Sequence, residues 1–170
     1  MLQLELGRLK HDIGFCLPLD IAAASDPAAY GYNDMSLNGP LKLCGRAENI
    51  EGEIQVTGLL FANLALNCAR CDTVFPLQLS LPFQEIYSSE NVTPDEAGER
   101  DKHVFSGGSI DFTPEALRAI FTQVPMKPLC REDCRGLCPI CGADLNLGQC
   151  SCGGKEIDPR WEKLRDLLND

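Results

Sequence analysis

Six cysteines fall between residues 130 and 152, in the stretch CREDCRGLCPICGADLNLGQCSC, and a further C-x2-C stands upstream at Cys68 and Cys71. The downstream spacing is C-x3-C-x3-C-x2-C-x8-C-x-C, so eight clustered thiols match two closed sites of four thiolates. Zinc favours four tetrahedral ligands and accepts thiolate sulfur, and a pair separated by two residues lets one tight turn offer both sulfurs to one ion. In the knuckle Cys138-Pro139-Ile140-Cys141-Gly142, glycine can take the positive φ that turns backbone N–H groups toward thiolate sulfur. Cys138, Cys141, Cys150 and Cys152 are therefore the candidate ligands of one site. Cys68, Cys71, Cys130 and Cys134 remain for a second, a grouping made by arithmetic, because 58 residues separate its two pairs. A competing partition places one ion on Cys130, Cys134, Cys138 and Cys141 and leaves the CxxC pair free. Tetrahedral sulfur sites also accept iron or an iron–sulfur cluster, so spacing leaves the metal open between these and two structural zinc ions.

Catalytic use of the thiols fits less well. A redox CxxC is expected near a βαβ pattern, at a helix N-terminus that lowers the thiolate pKa. Cys68-Ala69-Arg70-Cys71 instead follows a segment of alternating polarity. A catalytic zinc needs three protein ligands and an open position for water, whereas thiolates here suffice to close both sites. His11 and His103 lie far from the cysteines in sequence and show no ligand spacing, so each reads as a surface or loop residue. Cys16 and Cys44 stand alone and read as ordinary buried residues, since free cysteine behaves as a small hydrophobe. No catalytic residue is expected.

The elements that must position these thiols are written in the apolar periodicity. Between Leu41 and Phe83 the chain alternates, and Phe75, Leu77, Leu79, Leu81 and Phe83 fall on every second residue, which predicts strands with one buried face. Gly52 and Gly58 are expected to punctuate them, with the CARC stretch at a turn. An antiparallel meander is the simplest topology, because the linking segments are too short for helical crossovers. Pro76 and Pro82 remove ladder donors and predict that the last strand lies at an edge. Residues 85–101 hold six acids and one arginine and read as an acidic, solvated loop. Ser106-Gly107-Gly108-Ser109 is a turn signal rather than a phosphate loop. A helix should then begin with Thr113 as its cap and Pro114 in its first turn. It should bury Leu117, Ile120, Phe121 and Val124 and stop at Pro125. A short helix over DPRWEKLRDLLND should close the sequence, with Trp161, Leu164, Leu167 and Leu168 as its apolar stripe.

The expected fold class is thus α+β: an antiparallel β-meander with a packed helix, and a C-terminal zinc-ribbon-like appendage closed by a short helix. The expected division is a β-rich core over residues 1–124, including the acidic loop 85–101, and a cysteine-rich zinc-binding appendage over residues 125–170. A length of 170 residues with 44% hydrophobic content suits one core with a small appendage. A net charge of −10 opposes a protein that grips nucleic acid by neutralising phosphates and suits a basic protein partner. The opening residues lack the apolar run of a secretory signal, and no stretch is long enough to span a bilayer. The expectation is a cytosolic protein, in a compartment where disulfides are disfavoured.

The combination of CARC at 68–71, PMKPLCREDCRGLCPICGADLN at 125–146, CSC at 150–152 and DPRWEKLRDL at 158–167 resembles the YceD-like family. Its bacterial members are described as large ribosomal RNA subunit accumulation proteins. The resemblance spans most of the chain, and its specific part is the C-terminal third. It implies a non-enzymatic ribosome-biogenesis factor, linked to the synthesis, processing or stability of 23S ribosomal RNA. The family gene commonly neighbours that of a small, basic large-subunit ribosomal protein, which implies such a protein, or a pre-ribosomal particle, as partner. Some members keep the first cysteine pair and little of the later array, so a structural metal that shapes a surface is easier to reconcile than a shared metal chemistry. Direct contact with ribosomal RNA would need a local basic patch. Lys127, Arg131, Arg135 and Lys155 are its candidates, and the interleaved Glu132, Asp133 and Glu156 weaken it. Two other classes stay in view: a zinc-stabilised adaptor for another basic protein or RNA, and an enzyme, either a thiol oxidoreductase or a metal-dependent nuclease.

Overall fold

A computed structural model describes residues 1–24, 26–31, 36–88 and 102–152. The closing helix expected after Asp158 lies outside the described residues. Among the described residues eight strands and one α-helix succeed one another: β1 (Gln3–Glu5), β2 (Cys16–Ala23), β3 (Ser36–Leu37), β4 (Leu41–Ile50), β5 (Glu53–Asn67), β6 (Val74–Ser88), β7 (Lys102–Val104), β8 (Ser109–Asp111) and α1 (Thr113–Gln123). Two single 3-10 turns, Gly7–Lys10 and Pro27–Tyr30, interrupt the first half. The class is α+β, a mainly antiparallel sheet with one helix.

The larger sheet runs β2-β4-β5-β6-β7, with β3 pairing the far end of β5. From β2 to β6 every pairing is antiparallel, and β5 and β6 form a hairpin joined over their full lengths, from Glu53 opposite Ser88 to Asn67 opposite Val74. The period of two therefore holds across the sheet. Leu43, Leu60 and Leu81 fall on one face, and Phe75, Leu77 and Leu79 pack against the same core as the buried Phe83. The meander departs from the expectation at its end, because β7 joins β6 in parallel, opposite Ile86–Ser88. Among the described residues β7 covers only that end of β6. Pro76 and Pro82 stand on the part whose second side has no strand neighbour among the described residues, where a missing N–H costs no ladder bond. Glu85–Ser88, read from sequence as the start of the acidic loop, continue the strand; the remainder of that stretch to Asp101 is not among the described residues.

Two expectations about local signals change. Gly52 does sit in the two-residue turn between β4 and β5, but Gly58 lies in mid-strand opposite Gly45. A Cβ on Gly58 would come within 2.3 Å of the Cys44 carbonyl oxygen, so the glycine allows a close backbone crossing and ends nothing. At the start of α1, Thr113 does not act as the cap. Its N–H donates to Asp111 Oδ1 at 2.9 Å, and its hydroxyl donates to the same carboxylate. That hydroxyl oxygen also accepts from Leu2 N–H at 2.7 Å, so Thr113 ties the helix start to the first strand.

The core lies between the inner face of the sheet and a layer formed by α1 with the small β1–β8 sheet. Leu2, Leu6, Leu9, Ile110, Phe112, Leu117 and Ile120 meet Leu41, Leu43, Ile54, Leu60 and Leu64 there, all fully buried. Phe112 sets its ring edge-on to Phe83 at 6.4 Å and to Tyr87 at 5.4 Å, geometry that suits aromatic quadrupoles. On the helix, Ala116 joins Leu117 and Ile120 in the buried stripe, while Phe121, expected within it, is 49% exposed. The helix stops at Val124, whose ψ of 124° is the extended conformation forced on a residue before proline. The buried amide side chain of Asn49 in β4 is satisfied: it donates to Leu9 C=O at 2.7 Å and accepts from Gly52 N–H at 2.9 Å. No helix among the described residues is long and apolar enough to cross a membrane.

Candidate metal centres

The β5–β6 hairpin ends in the CARC turn. Cys68 N–H donates to Thr73 C=O at 3.0 Å and Asp72 N–H to Cys68 C=O at 2.9 Å, with Asp72 in the left-handed region at φ 59°. Asn67 holds that turn through a side-chain bond to Asp72 Oδ1 at 2.9 Å. The turn presents both thiols on one side. The segment that leaves α1 comes back to it: Ala69 N–H donates to Pro128 C=O at 2.8 Å, and Leu137 N–H to Arg70 C=O at 3.1 Å. Arg70 reaches across with Nη1 to the Cys134 carbonyl at 2.6 Å.

These bonds bring the first four thiols together. Cys68 Sγ lies 3.8 Å from Cys134 Sγ, and Cys71 Sγ lies 3.7 Å from Cys130 Sγ. All four sulfurs are within 4.8 Å of one another, and Cys68, Cys71 and Cys134 are buried. A disulfide would need about 2.05 Å. A tetrahedron with metal–sulfur bonds of about 2.3 Å has edges of about 3.8 Å, the separation found here. An open cleft of about 350 Å³ lies against this group, lined by Cys71, Thr73, Cys130, Arg131, Asp144, Asn146 and Leu147.

The second group is built on a knuckle. Cys138 N–H donates to Ala143 C=O at 2.8 Å, Gly142 N–H to Cys138 C=O at 2.9 Å, and Gly142 takes the φ of 73° that the spacing predicted. Cys150 and Cys152 return to the knuckle, and the sulfurs of Cys138, Cys141, Cys150 and Cys152 again lie within 4.8 Å of one another. Cys138 is buried and Cys141 exposed, so this group sits nearer to solvent. The described part of the cysteine-rich segment has little regular structure besides an isolated bridge between Leu137 and Asp144.

Within each group the thiols are shifted in opposite directions. Donation from the Cys130 backbone, aided by Arg70 and Cys71 and opposed by burial, pulls the Cys68 thiol from its ordinary value near 9 down to about 6. Burial, then hydrogen bonds with Cys71, Cys134 and Cys68, push Cys130 up to about 12. In the second group the backbones of Cys141 and Ile140 pull Cys138 down to about 6, while the bond with Cys141, then burial, pushes Cys152 up to about 12. Four thiols this close ionise unequally when they share only protons; a divalent ion would allow all four to carry charge. Both tetrads can hold a metal ion.

The remaining candidates fall elsewhere. The competing partition across Cys130, Cys134, Cys138 and Cys141 is not the one the fold assembles. Cys16, expected to be buried, is exposed, because it lies on the outer face of β2 away from the core, and Cys44 is half-buried with its thiol 3.4 Å from Asp20. His11 is exposed. His103 is neither a loop residue nor a fully exposed one: it lies in β7 with its side chain 19% exposed, its ring nitrogens 3.0 Å from Glu85 and 3.4 Å from Glu115. Of the proposed basic patch, Lys127, Arg131 and Arg135 are exposed beside the first tetrad's chain segment, and Lys155 is not among the described residues. Sequence reasoning missed Arg70 and Asn146. Arg70 could have been suspected from its place inside the CxxC pair; nothing in the spacing pointed to Asn146, whose amide donates to Cys134 Sγ at 3.5 Å.

Comparison with known proteins places this sequence in a family. The profile described as large ribosomal RNA subunit accumulation protein YceD matches residues 56–168, which takes in all eight clustered cysteines. An uncharacterized protein of Mycobacterium tuberculosis is 32% identical over 167 residues, covering 96% of this chain and 80% of its own. The uncharacterized protein YlbN of Bacillus subtilis is 23% identical over 137 residues, 80% of this chain and 78% of that one. A chloroplastic large ribosomal RNA subunit accumulation protein YCED homolog 1 of Arabidopsis thaliana is 31% identical over 58 residues, 34% of this chain and 18% of its own. No solved structure matches.

Proposed function

Since the chain belongs to the YceD family of large ribosomal RNA subunit accumulation proteins, we propose that it is a cytoplasmic, non-enzymatic factor that supports the synthesis, processing or stability of 23S ribosomal RNA. The observation that carries this reading is the family match over residues 56–168, which spans the β5–β6 hairpin and both cysteine groups. A role connected with the ribosome follows from membership. The finer steps are physical.

Both tetrads hold structural zinc in this reading. Cys68, Cys71, Cys130 and Cys134 close one site and Cys138, Cys141, Cys150 and Cys152 the other, each leaving no position for a reacting water. Zinc supplies cross-links there. It compensates thiolate charge and fixes segments too short and too poor in apolar side chains to fold alone. Residues 125–170 then act as a ribbon-like appendage on the core of residues 1–124, with the first ion fastening it to the hairpin tip.

The surface so fixed is offered to a basic partner. A net charge of −10 favours a basic large-subunit ribosomal protein, alone or in a pre-ribosomal particle, over direct capture of RNA. Complementary charge of this kind raises the association rate and weakens with added salt. Deleting the gene should lower mature 23S relative to 16S ribosomal RNA; an unchanged ratio in a clean deletion would contradict the proposal.

A further inference from the structure

Asn146 belongs to the loop between Cys141 and Cys150, yet its side chain serves the other tetrad. Its Nδ2 donates to Cys134 Sγ at 3.5 Å and to Asp144 Oδ1 at 2.7 Å. Its Oδ1 accepts from Arg135 N–H at 2.8 Å and from Arg131 Nη2 at 2.7 Å. The amide can point only this way, because exchanging its oxygen and nitrogen would set an NH2 group against two donors. Backbone bonds hold the same two stretches side by side: Leu145 N–H donates to Gly136 C=O at 2.9 Å, next to the Leu137–Asp144 bridge.

From this juxtaposition we infer that Asn146 is a positioning residue that couples the two metal sites, so that filling the second tetrad tightens binding at the first. A metal on Cys138, Cys141, Cys150 and Cys152 fixes both ends of the loop that carries Asn146. With that tetrad empty, closing the loop and ordering the amide must be supplied by the first site, which lowers its affinity. A donor to a thiolate ligand compensates part of its charge and orients it, and such outer partners change metal affinity by about 10–100-fold. Coupling of this kind is reciprocal, so the first ion tightens the second by the same factor.

The inference rests on the reading that both tetrads hold metal, and the test separates the two. Zinc affinity at the first tetrad is measured by chelator competition on the full chain, on Asn146→Ala, on Cys141→Ser with Cys152→Ser, and on the combination. Asn146→Ala should weaken the first site about 10–100-fold. The second-tetrad variant should weaken it to a similar degree, and the combination should be no weaker than either alone. With cobalt(II) as probe, Asn146→Ala should move the sulfur-to-metal charge-transfer band to lower energy, because a thiolate without its N–H donor gives up an electron more readily; a merely structural lesion leaves the band in place. If Asn146→Ala does not fold, Asn146→Asp keeps the acceptor for Arg131 and Arg135, replaces the donor with a negative oxygen facing Cys134 Sγ and Asp144, and should weaken the first site at least as much. A wild-type chain that binds fewer than two ions overturns the metal reading and the coupling with it. Two ions with an unchanged affinity and band in Asn146→Ala, or effects that multiply in the combination, overturn the coupling alone.

Discussion

Cys68 Sγ lies 3.8 Å from Cys134 Sγ although they stand 66 positions apart along the chain. The contact joins the tip of a long β-hairpin to the segment that leaves the helix, where Phe75 from one side and Leu129 from the other pack against the thiols. A metal at this point would be a cross-link in the fold, whereas a metal in the second tetrad would shape a short local knuckle.

That difference predicts different outcomes for two cysteine substitutions. Cys134→Ser and Cys138→Ser should each lower bound zinc from two ions to one. Only the first should release the segment around Arg131 and Arg135 from the hairpin tip, so limited trypsin treatment with zinc in excess should cut Cys134→Ser there far sooner than Cys138→Ser. Equal rates of cleavage would contradict a fastening role for the first site.

The close crossing of β4 and β5 predicts an intolerant glycine. A Cβ at position 58 would approach the Cys44 carbonyl oxygen to 2.3 Å, while one at Gly108 would meet nothing within 4 Å. Gly58→Ala should therefore cost roughly 1–3 kcal/mol by urea denaturation, the range of overpacked cores. Gly108→Ala should be close to neutral. Similar midpoints for the two variants would remove the crossing as a constraint on the sheet.

How much of this was legible in the sequence follows from the range of each signal. Alternation between Leu41 and Phe83 reports a local property, the pleat, and it predicted the strands and their buried faces. The CxxC pair and the knuckle with Gly142 are local too, and both turned out as turns that present paired thiols. The parallel pairing of β7 with β6 was invisible, because a three-residue strand carries too little alternation to announce its partner or its direction. Gly58 misled for a related reason: a glycine that ends a strand and one that lets two backbones approach look alike until the partner, Gly45, is known. Asn146 carried no periodicity or spacing at all, since its role comes from a side chain that crosses between two sites.

Tyr87 predicts how stability depends on alkaline pH. Burial, with the charges of Glu115 and Glu85, raises its phenol well above the ordinary value, and its hydroxyl donates to Glu115 at 3.3 Å. A phenol whose folded pKa is raised contributes stability that is fully present below the unfolded value of about 10 and lost as pH rises beyond it, because the unfolded chain then releases a proton that the folded chain keeps. The contribution of Tyr87 should be constant below about pH 9 and fall above about pH 10, so Tyr87→Phe should flatten the alkaline fall of the denaturation midpoint. An unaltered slope in Tyr87→Phe would assign the alkaline loss to other groups.

The most direct test of the central claim is metal content. The full chain, purified without added chelator and measured by elemental analysis per mole of protein, is predicted to carry close to two zinc ions, each lost on substitution within its own tetrad. A chain that folds and supports 23S ribosomal RNA accumulation with no bound metal would contradict it.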